Sequence, residues 1–395
     1  MQTTATLIDR ARALQDEIVS LRRHIHAHPE LSFEEFETSK LASEGLSQLG
    51  YQVKSGLART GLIADRGKGL TVAIRADMDG LPVQEATGAP YQSTRANVMH
   101  ACGHDAHVSC ALAAARLLAE EKLPGRLRFL MQPAEENGDE EGVSGAKRMI
   151  EHGAMDGVDA VIGLHVDATL PAGKAAIMPG PVMAAADSFK IVIKGKGGHG
   201  AYPDTTIDAV VVAGQVILAA QQIVSRRISA LEPAVVTIGS VHSSSTRGNV
   251  ISDSVTLSGT IRSFTEPVRQ KLIDELNRVC NMVRCFGADY EIEWELGYPA
   301  TVNDPKVVDV MRQAACDLIG PENVVDVPPK TWSEDFSMLA QVAPGAFMFL
   351  GAEIAGDRRT HHSPTFDIDE SGLYVGSAIL AETALRLMTT MEPRR

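Results

Sequence analysis

The sequence predicts an α/β chain in two parts. A mixed, largely parallel sheet with flanking helices is expected over residues 1–184 and 296–395, interrupted at 185–295 by an inserted α+β domain of ferredoxin-like order. Three observations carry this expectation. At 395 residues the chain exceeds what one hydrophobic core ordinarily serves, so two domains are expected. In the first part, short β-rich apolar runs alternate with helical stretches, the pattern of parallel strands joined by helical crossovers. After Pro179-Gly180-Pro181 the order changes to β-α-β-β-α-β.

Along the chain, Leu7, Ala11, Leu14, Ile18, Leu21 and Ile25 recur at spacings of four and three, which predicts one amphipathic N-terminal helix. Strand-like runs follow at 70–75, 127–131 and 160–165, separated by helical stretches that include 106–119 and 144–152. In the insert, a strand at 189–194 leads into a long apolar helix at 207–228. Strands at 234–241 and 254–262, a helix at 266–285 and a strand at 290–296 complete it. From Asp304 the alternation resumes, with an apolar strand at 345–351 and a closing helix at 371–389, so the C-terminal segment completes the first domain. The Gly- and Pro-containing loop at 356–364 reads as a site-building segment rather than a linker.

A formal net charge of -13 disfavours nucleic acid and anionic membrane as partners, because both require a basic surface, and points to small substrates. Charges at Asp9, Arg10, Arg12, Asp16 and Glu17 break any apolar run long enough for a leader or membrane helix. Five cysteines without framework spacing argue against a disulfide scaffold, and a cytoplasmic location is expected.

The densest chemistry lies in His100-Ala101-Cys102-Gly103-His104-Asp105-Ala106-His107. Cys102 and His104 flank a glycine that permits tight backbone geometry, so a thiolate and an imidazole can reach one metal. Equally, a lone Cys-x-His can be a small buried hydrophobe beside a solvated histidine. Glu135 and Glu136 follow a buried strand, where alternation would turn one carboxylate toward a metal and the other toward a substrate. The competing interpretation is a solvated acidic turn, continued by Asp139, Glu140 and Glu141. Placement at a strand's carboxyl end favours a site. His165 ends the next apolar run, and His361 and His362 precede Ser363-Pro364; each is open to a purely structural role. The stretch 75–80 closes another strand with Asp77 and Asp79, carboxylates suited to orienting ligating imidazoles. Within the insert, residues 195–200 lack the Gly-Lys-Ser/Thr ending of a phosphate loop, so their glycines are read as letting the backbone approach a partner surface while presenting His199; Asn249 and Arg262 are surface-type residues of the same domain.

Taken together, LRRHIHAHPELSFEE (21–35), RADMDGLP (75–82), MHACGHDAH (99–107), QPAEE (132–136), GLH (163–165), GGHGAYP (197–203), NVI (249–251), GTIRSF (259–264), SEDF (333–336) and HHSPTFD (361–367) resemble the M20 metallopeptidase family. The likeness is to its amidohydrolase branch, which includes hippurate hydrolases, aminoacylases and auxin-conjugate hydrolases. It implies that Cys102, His104, Glu136, His165 and His362 bind two divalent metal ions per subunit, with Glu135 as general acid and base. Thiolate ligation suits zinc first, while manganese, cobalt or nickel suit the remaining donors. The resemblance further implies a lid domain that commonly dimerises, His199 stabilising an oxyanion from the same or the opposite subunit, and Asn249 and Arg262 gripping the substrate. The implied reaction is hydrolysis of small N-acyl amino acids to a carboxylic acid and an amino acid. A dipeptidase or exopeptidase on the same metals, or a silent metal-binding regulatory protein, is the rival expectation. Departures from the family pattern fall on the substrate side, at Asp167, Asp204, residues 243–248 and Ser252.

Overall fold

The periodic N-terminal segment folds as two helices, α1 Leu7–Ala13 and α2 Gln15–Ala27. They part at Leu14, whose N–H bonds to Ala11 O at 3.0 Å in a tighter turn, so the expected single helix is corrected to a pair. Their shared stripe is kept, with Ala11, Ile18 and Ile25 all buried. Helix α3 Phe36–Gln48 and the hairpin β1 Gln52–Leu57 and β2 Gly61–Gly67 are additions to the expected elements. Strand β1 is mostly exposed and polar, so its sequence lacks the apolar run that marks a central strand.

The computed structural model describes residues 6–393; residues 1–5 and 394–395, which the expected domain boundaries include, lie outside the described residues. Continuing from the hairpin come β3 Thr71–Asp77, α4 His104–Ala119, β4 Arg126–Gln132, α5 Gly145–Glu151, β5 Ala160–Pro171 and β6 Ala175–Ala176. The insert contains β7 Ala185–Lys194, α6 Ala209–Gln222, β8 Ala234–Ser243, β9 Ser254–Ser263, α7 Glu266–Asn281 and β10 Asp289–Leu296. The chain ends with α8 Pro305–Ile319, β11 Val324–Val325, α9 Phe336–Val342, β12 Gly345–Glu353 and α10 Leu373–Thr390.

Two units result. The first comprises the chain up to Gly180, Val302–Pro328 and the chain from Asp335 onward. Its eight-stranded sheet runs β1-β2-β4-β3-β5-β12-β6-β11. The central four strands, β4, β3, β5 and β12, are mutually parallel, while the hairpin and the β12-β6 pairing are antiparallel. Helix α4 is the central helix. All its residues except Arg116 and Ala119 are buried, consistent with a sequence rich in small apolar side chains on every face.

One buried ionic network braces this unit. Arg22, with no exposed surface, places Nε 2.8 Å from Asp105 and its two terminal nitrogens 3.1 Å from Asp367 and 3.2 Å from Glu370. His26 Nδ1 lies 2.7 Å from the same Asp105 carboxylate. Burial pushes the Asp105 carboxyl up, but Arg22 and His26 outweigh it and hold the group well below the usual carboxylate range. Its pKa is therefore depressed on folding. The resulting stabilisation is complete above the unfolded value of about 3.9 and fades as pH falls below it. Replacing Arg22 by Met strands buried carboxylates without their cation, and should cost about 3–5 kcal/mol in denaturant unfolding. A loss under about 1 kcal/mol would show the network to be dispensable.

The second unit comprises Pro181–Thr301 with Pro329–Glu334. The latter segment, expected in the first domain, joins this unit because Ala184 N–H donates to Lys330 O and Trp332 O, both at 3.0 Å. The four-stranded sheet runs β8-β9-β7-β10 and every pairing is antiparallel, which is the ferredoxin-like arrangement. Helix α6 buries Ala209, Val212, Ala213, Val216 and Ala220 at helical spacing, within a core that also holds Phe189, Ile191 and Leu257. By length and apolarity alone Ala209–Arg227 could cross a bilayer; 33% of that stretch is buried, in this packed stripe.

Candidate metal centre and active site

The parallel strands bring the chemistry to one edge of the first unit. Asp77, the last residue of β3, pairs with Gln132, the last of β4, while β5 carries His165 opposite Phe349 of β12. Arg75 pairs with Gly163, so Asp77 and His165 lie at the same level of the sheet. His165 does not end its strand as expected. Strand β5 continues to Pro171 because Val166, Asp167 and Pro171 go on pairing with β12.

Cys102 and His104 enter this edge at the N-terminus of α4. Gly103 between them has φ +99°, and a Cβ there would fall 2.3 Å from Val166 Cγ2, so only glycine fits the approach. Cys102 Sγ lies 3.4 Å from His165 Nε2. His165 Nδ1 faces Val166 O at 2.7 Å, which assigns the proton to Nδ1 and turns the Nε2 lone pair toward Cys102. His104 Nδ1 is likewise taken, by Asp79 O at 2.9 Å and Asp79 Oδ1 at 3.2 Å. Its buried Nε2 has no hydrogen-bond partner. An imidazole held at one nitrogen by a carboxylate and a carbonyl, with the other nitrogen 3.5 Å from Asp77 and 3.9 Å from Glu136, fits the requirements of a metal ligand.

His362 sits in the loop after β12 with φ +61°, an uncommon backbone for a non-glycine residue, and its N–H donates to Ala101 O at 2.8 Å. Its Nε2 is 3.3 Å from Glu136 Oε1. Ligand atoms of Cys102, His104 and His165 lie within 4.8 Å of one another, as do those of Cys102, Glu136 and His362 and those of His104, Glu135 and Glu136. All six proposed metal and acid–base residues therefore converge. The donor set, one thiolate with imidazoles and carboxylate, suits zinc or another borderline divalent ion. Charge fits as well: burial pushes His104 down, yet Asp77, Asp79 and Glu136 around it pull it up to about 10, the mark of a locus that favours added positive charge.

The paired glutamates reach the site by a different route from simple strand alternation. Strand β4 ends at Gln132, and the chain then turns through Ala134 at φ +51°. The N–H groups of Glu135 and Glu136 donate to the two oxygens of Asp79, at 3.2 and 3.0 Å. Behind them, Arg75 bridges Asp77 and Asp335, each at 2.8 Å, and His107 donates to Asp77 at 2.6 Å while accepting from Val166 N–H at 3.0 Å. Both nitrogens of His107 are thus committed, which removes it from the candidate ligands.

In the second unit, His199 and Asn249 are exposed and adjacent: Gly198–His199 pairs with Val250–Ile251, and Gly200 N–H donates to Asn249 O at 2.8 Å. His199 Nδ1 accepts from Ala201 N–H at 3.0 Å, so its Nε2 carries a proton and is a donor. Arg262 stands apart. It lies near the far end of β9, about 25 Å or more along the strand from the His199 ribbon. Its guanidinium is half-buried and bonds to Thr260 Oγ1 and to Ile261 O, the latter at 2.9 Å. One copy of this unit does not bring Arg262 together with His199 and Asn249.

Residues that sequence reasoning passed over include Glu35, Gln132 and Asp335, each within a motif but given no role. The usable signal was burial: carboxylates and amides flanking wholly apolar runs must be satisfied from within.

A parallel-centred α/β sheet carrying a cysteine, histidine and glutamate cluster along one strand edge defines the class of metal-dependent hydrolases. Residues 73–386 match the model of peptidase family M20/M25/M40, and the chain belongs to that family as a metal-dependent hydrolase of amide bonds. It is 41% identical to thermostable carboxypeptidase 1 of Saccharolobus solfataricus, over 98% of this chain and 99% of that one. It is 40% identical to an N-acetyl-L-cysteine deacetylase of Bacillus subtilis, over 96% and 90%. Among solved structures, a Bacillus subtilis protein described as a dinuclear metal binding peptidase of the M20 family superposes with a TM-score of 0.83 at 34% identity, covering 96% of this chain and all of that one.

Proposed function

We propose that the enzyme hydrolyses small N-acyl amino acids, releasing a carboxylic acid and an amino acid. In this reading Cys102, His104, Glu136, His165 and His362 hold two divalent ions, zinc first, and Glu135 is the general acid and base. The observation that carries it is the convergence of those ligand atoms beside a second, buried glutamate. Similarity to an N-acetyl-L-cysteine deacetylase supports the acyl-amide class.

When bound, divalent ions at this cluster supply Lewis acidity toward an amide carbonyl and lower the pKa of water. Glu135 accepts the proton of the attacking water and returns it to the departing nitrogen, so the amine leaves neutral. Its backbone, pinned by Asp79, keeps the carboxylate at a fixed origin. His199 Nε2–H is the donor for the oxyanion, and Arg262 binds a free α-carboxylate, which selects acylated amino acids over internal peptide positions.

Because Arg262 lies near the end of β9 farther from the His199–Asn249 ribbon, we infer that two copies share each site within a homodimer, one supplying Arg262 and the other His199 and Asn249. A second copy has a face to meet: Val210, Val211 and Leu218 are 50%, 60% and 66% exposed on α6, beside the open edge of β8. Val211→Asp with Leu218→Asp should convert a dimer to a monomer in sedimentation and lower turnover. A wild-type monomer with full activity would sink this arrangement.

Metal-loaded enzyme should be assayed on N-acetyl, N-benzoyl and indoleacetyl amino acids beside dipeptides. Faster turnover of the acylated amino acids is expected. Preference for free-amine dipeptides would instead favour an exopeptidase, consistent with the carboxypeptidase relative. A cytoplasmic location fits a thiol ligand and five cysteines without a disulfide.

A further inference from the structure

Four of the non-glycine residues with left-handed backbone surround one side chain. Phe33 (φ +62°), Ala58 (φ +46°), Arg59 (φ +72°) and Ala134 (φ +51°) lie on three separate segments. Each such residue is held against a steric cost, so their gathering calls for a common cause. The carboxylate of Glu35 touches all three segments. Its Oε1 accepts from Phe33 N–H at 3.0 Å and from Ala134 N–H at 2.8 Å, and its Oε2 accepts from the Thr60 hydroxyl, next to Arg59, at 2.5 Å. Glu35 itself has no exposed surface.

The bonds continue in register along the next residues. Glu35 takes the N–H of Ala134, and Asp79 takes those of Glu135 and Glu136, at 3.2 and 3.0 Å. Three consecutive N–H groups therefore point at two buried carboxyl groups, both supplied by the protein. The outer side of the loop is closed as well. Ala134 O accepts from Gly145 N–H at 2.9 Å, and a Cβ on Gly145 would fall 1.7 Å from Pro133 O.

We propose that Glu35 is a positioning residue for catalysis: by tying the left-handed turn at Ala134 to the turns at Phe33 and Ala58–Arg59, it sets the direction in which Glu135 leaves the loop. This rests on Glu135 being the general base. Glu35 does not touch substrate. It is also separable from Asp79, which touches the ligand His104 directly, whereas Glu35 acts through the backbone of Ala134. Losing that tie should displace Glu135 while leaving the metal ligands in place.

The test uses full-length enzyme loaded with zinc and assayed on N-acetyl-L-cysteine or N-benzoylglycine, whichever turns over faster. In Glu35→Ala, kcat should fall about 100-fold with KM changed less than about threefold and metal content as in wild type. Glu35→Gln retains an acceptor for both N–H groups and should lose about tenfold. Glycine adopts the left-handed turn unaided, so adding Ala134→Gly to Glu35→Ala should restore about tenfold of kcat. A purely structural role would lower the melting temperature yet leave kcat of the folded, metal-loaded protein within about threefold of wild type; that result overturns the proposal. So does a double variant that melts higher without regaining kcat. Should Glu35→Ala not fold, Glu35→Gln decides alone, supporting the proposal if kcat drops by more than about threefold and overturning it otherwise. A parallel Glu135→Gln enzyme keeps the two ideas apart. If it is active, the general-base reading fails; if it is inactive while the Glu35 variants are normal, only the positioning role fails.

Discussion

Glu135→Gln enzyme should bind its full complement of metal and lose about 10²–10⁴-fold in kcat, the span attributable to a positioned proton carrier. Glutamine preserves the shape of the side chain but cannot take a proton. The backbone anchor is untouched, because Asp79 holds the Glu135 N–H and not its carboxylate. The neighbouring change gives the opposite signature: Glu136→Gln removes a donor that lies 3.3 Å from His362 Nε2, and should lower metal content together with activity. Elemental analysis beside steady-state kinetics separates the two. Near-normal turnover by metal-loaded Glu135→Gln would exclude this carboxylate as the base.

That pair also shows how far the sequence could be read. Two adjacent acids after an apolar strand leave a solvated turn open beside a base-and-ligand pair; the strand's carboxyl end, where such sheets build sites, shifts the balance, and the family resemblance assigns the roles. The route was hidden. Strand alternation would turn the two side chains apart, whereas the structure uses a left-handed turn at Ala134 held by carboxylates 55 and 99 residues away in sequence, Asp79 and Glu35. Local periodicity carries no information about such distant ties. The same limit explains the hairpin β1-β2, whose exposed edge strand has no apolar run to detect, and His165, whose strand extends past the apolar stretch because β12 continues to pair with it. The ferredoxin-like insert was legible because each of its elements alternates or repeats on its own. The separation of Arg262 from His199 was not. It depends on the register of β9 against β7, where Arg262 faces Ala186 and Ser254 faces Lys194.

Metal removal should cost stability as well as activity, and the two losses should be reversible together. A ligand that binds only the folded state at about a thousand times its Kd stabilises by about 4 kcal/mol, so a chelated sample should melt several degrees below a zinc-loaded one. The fold should nonetheless survive, because the groups behind the ligands are satisfied without an ion. Arg75 donates to both Asp77 and Asp335, and His107 has partners at both nitrogens. The groups that suffer are His104 Nε2, buried without a hydrogen bond, and the carboxylates of Asp79 and Glu136 near it. Re-adding zinc should therefore restore both the melting temperature and turnover without refolding. In Cys102→Ala and His104→Ala the increment between chelated and zinc-loaded melting should shrink, since each removes a donor from the cluster. Chelated enzyme that keeps full turnover, or a cluster variant that keeps the whole zinc-dependent increment, would remove these residues from the metal centre.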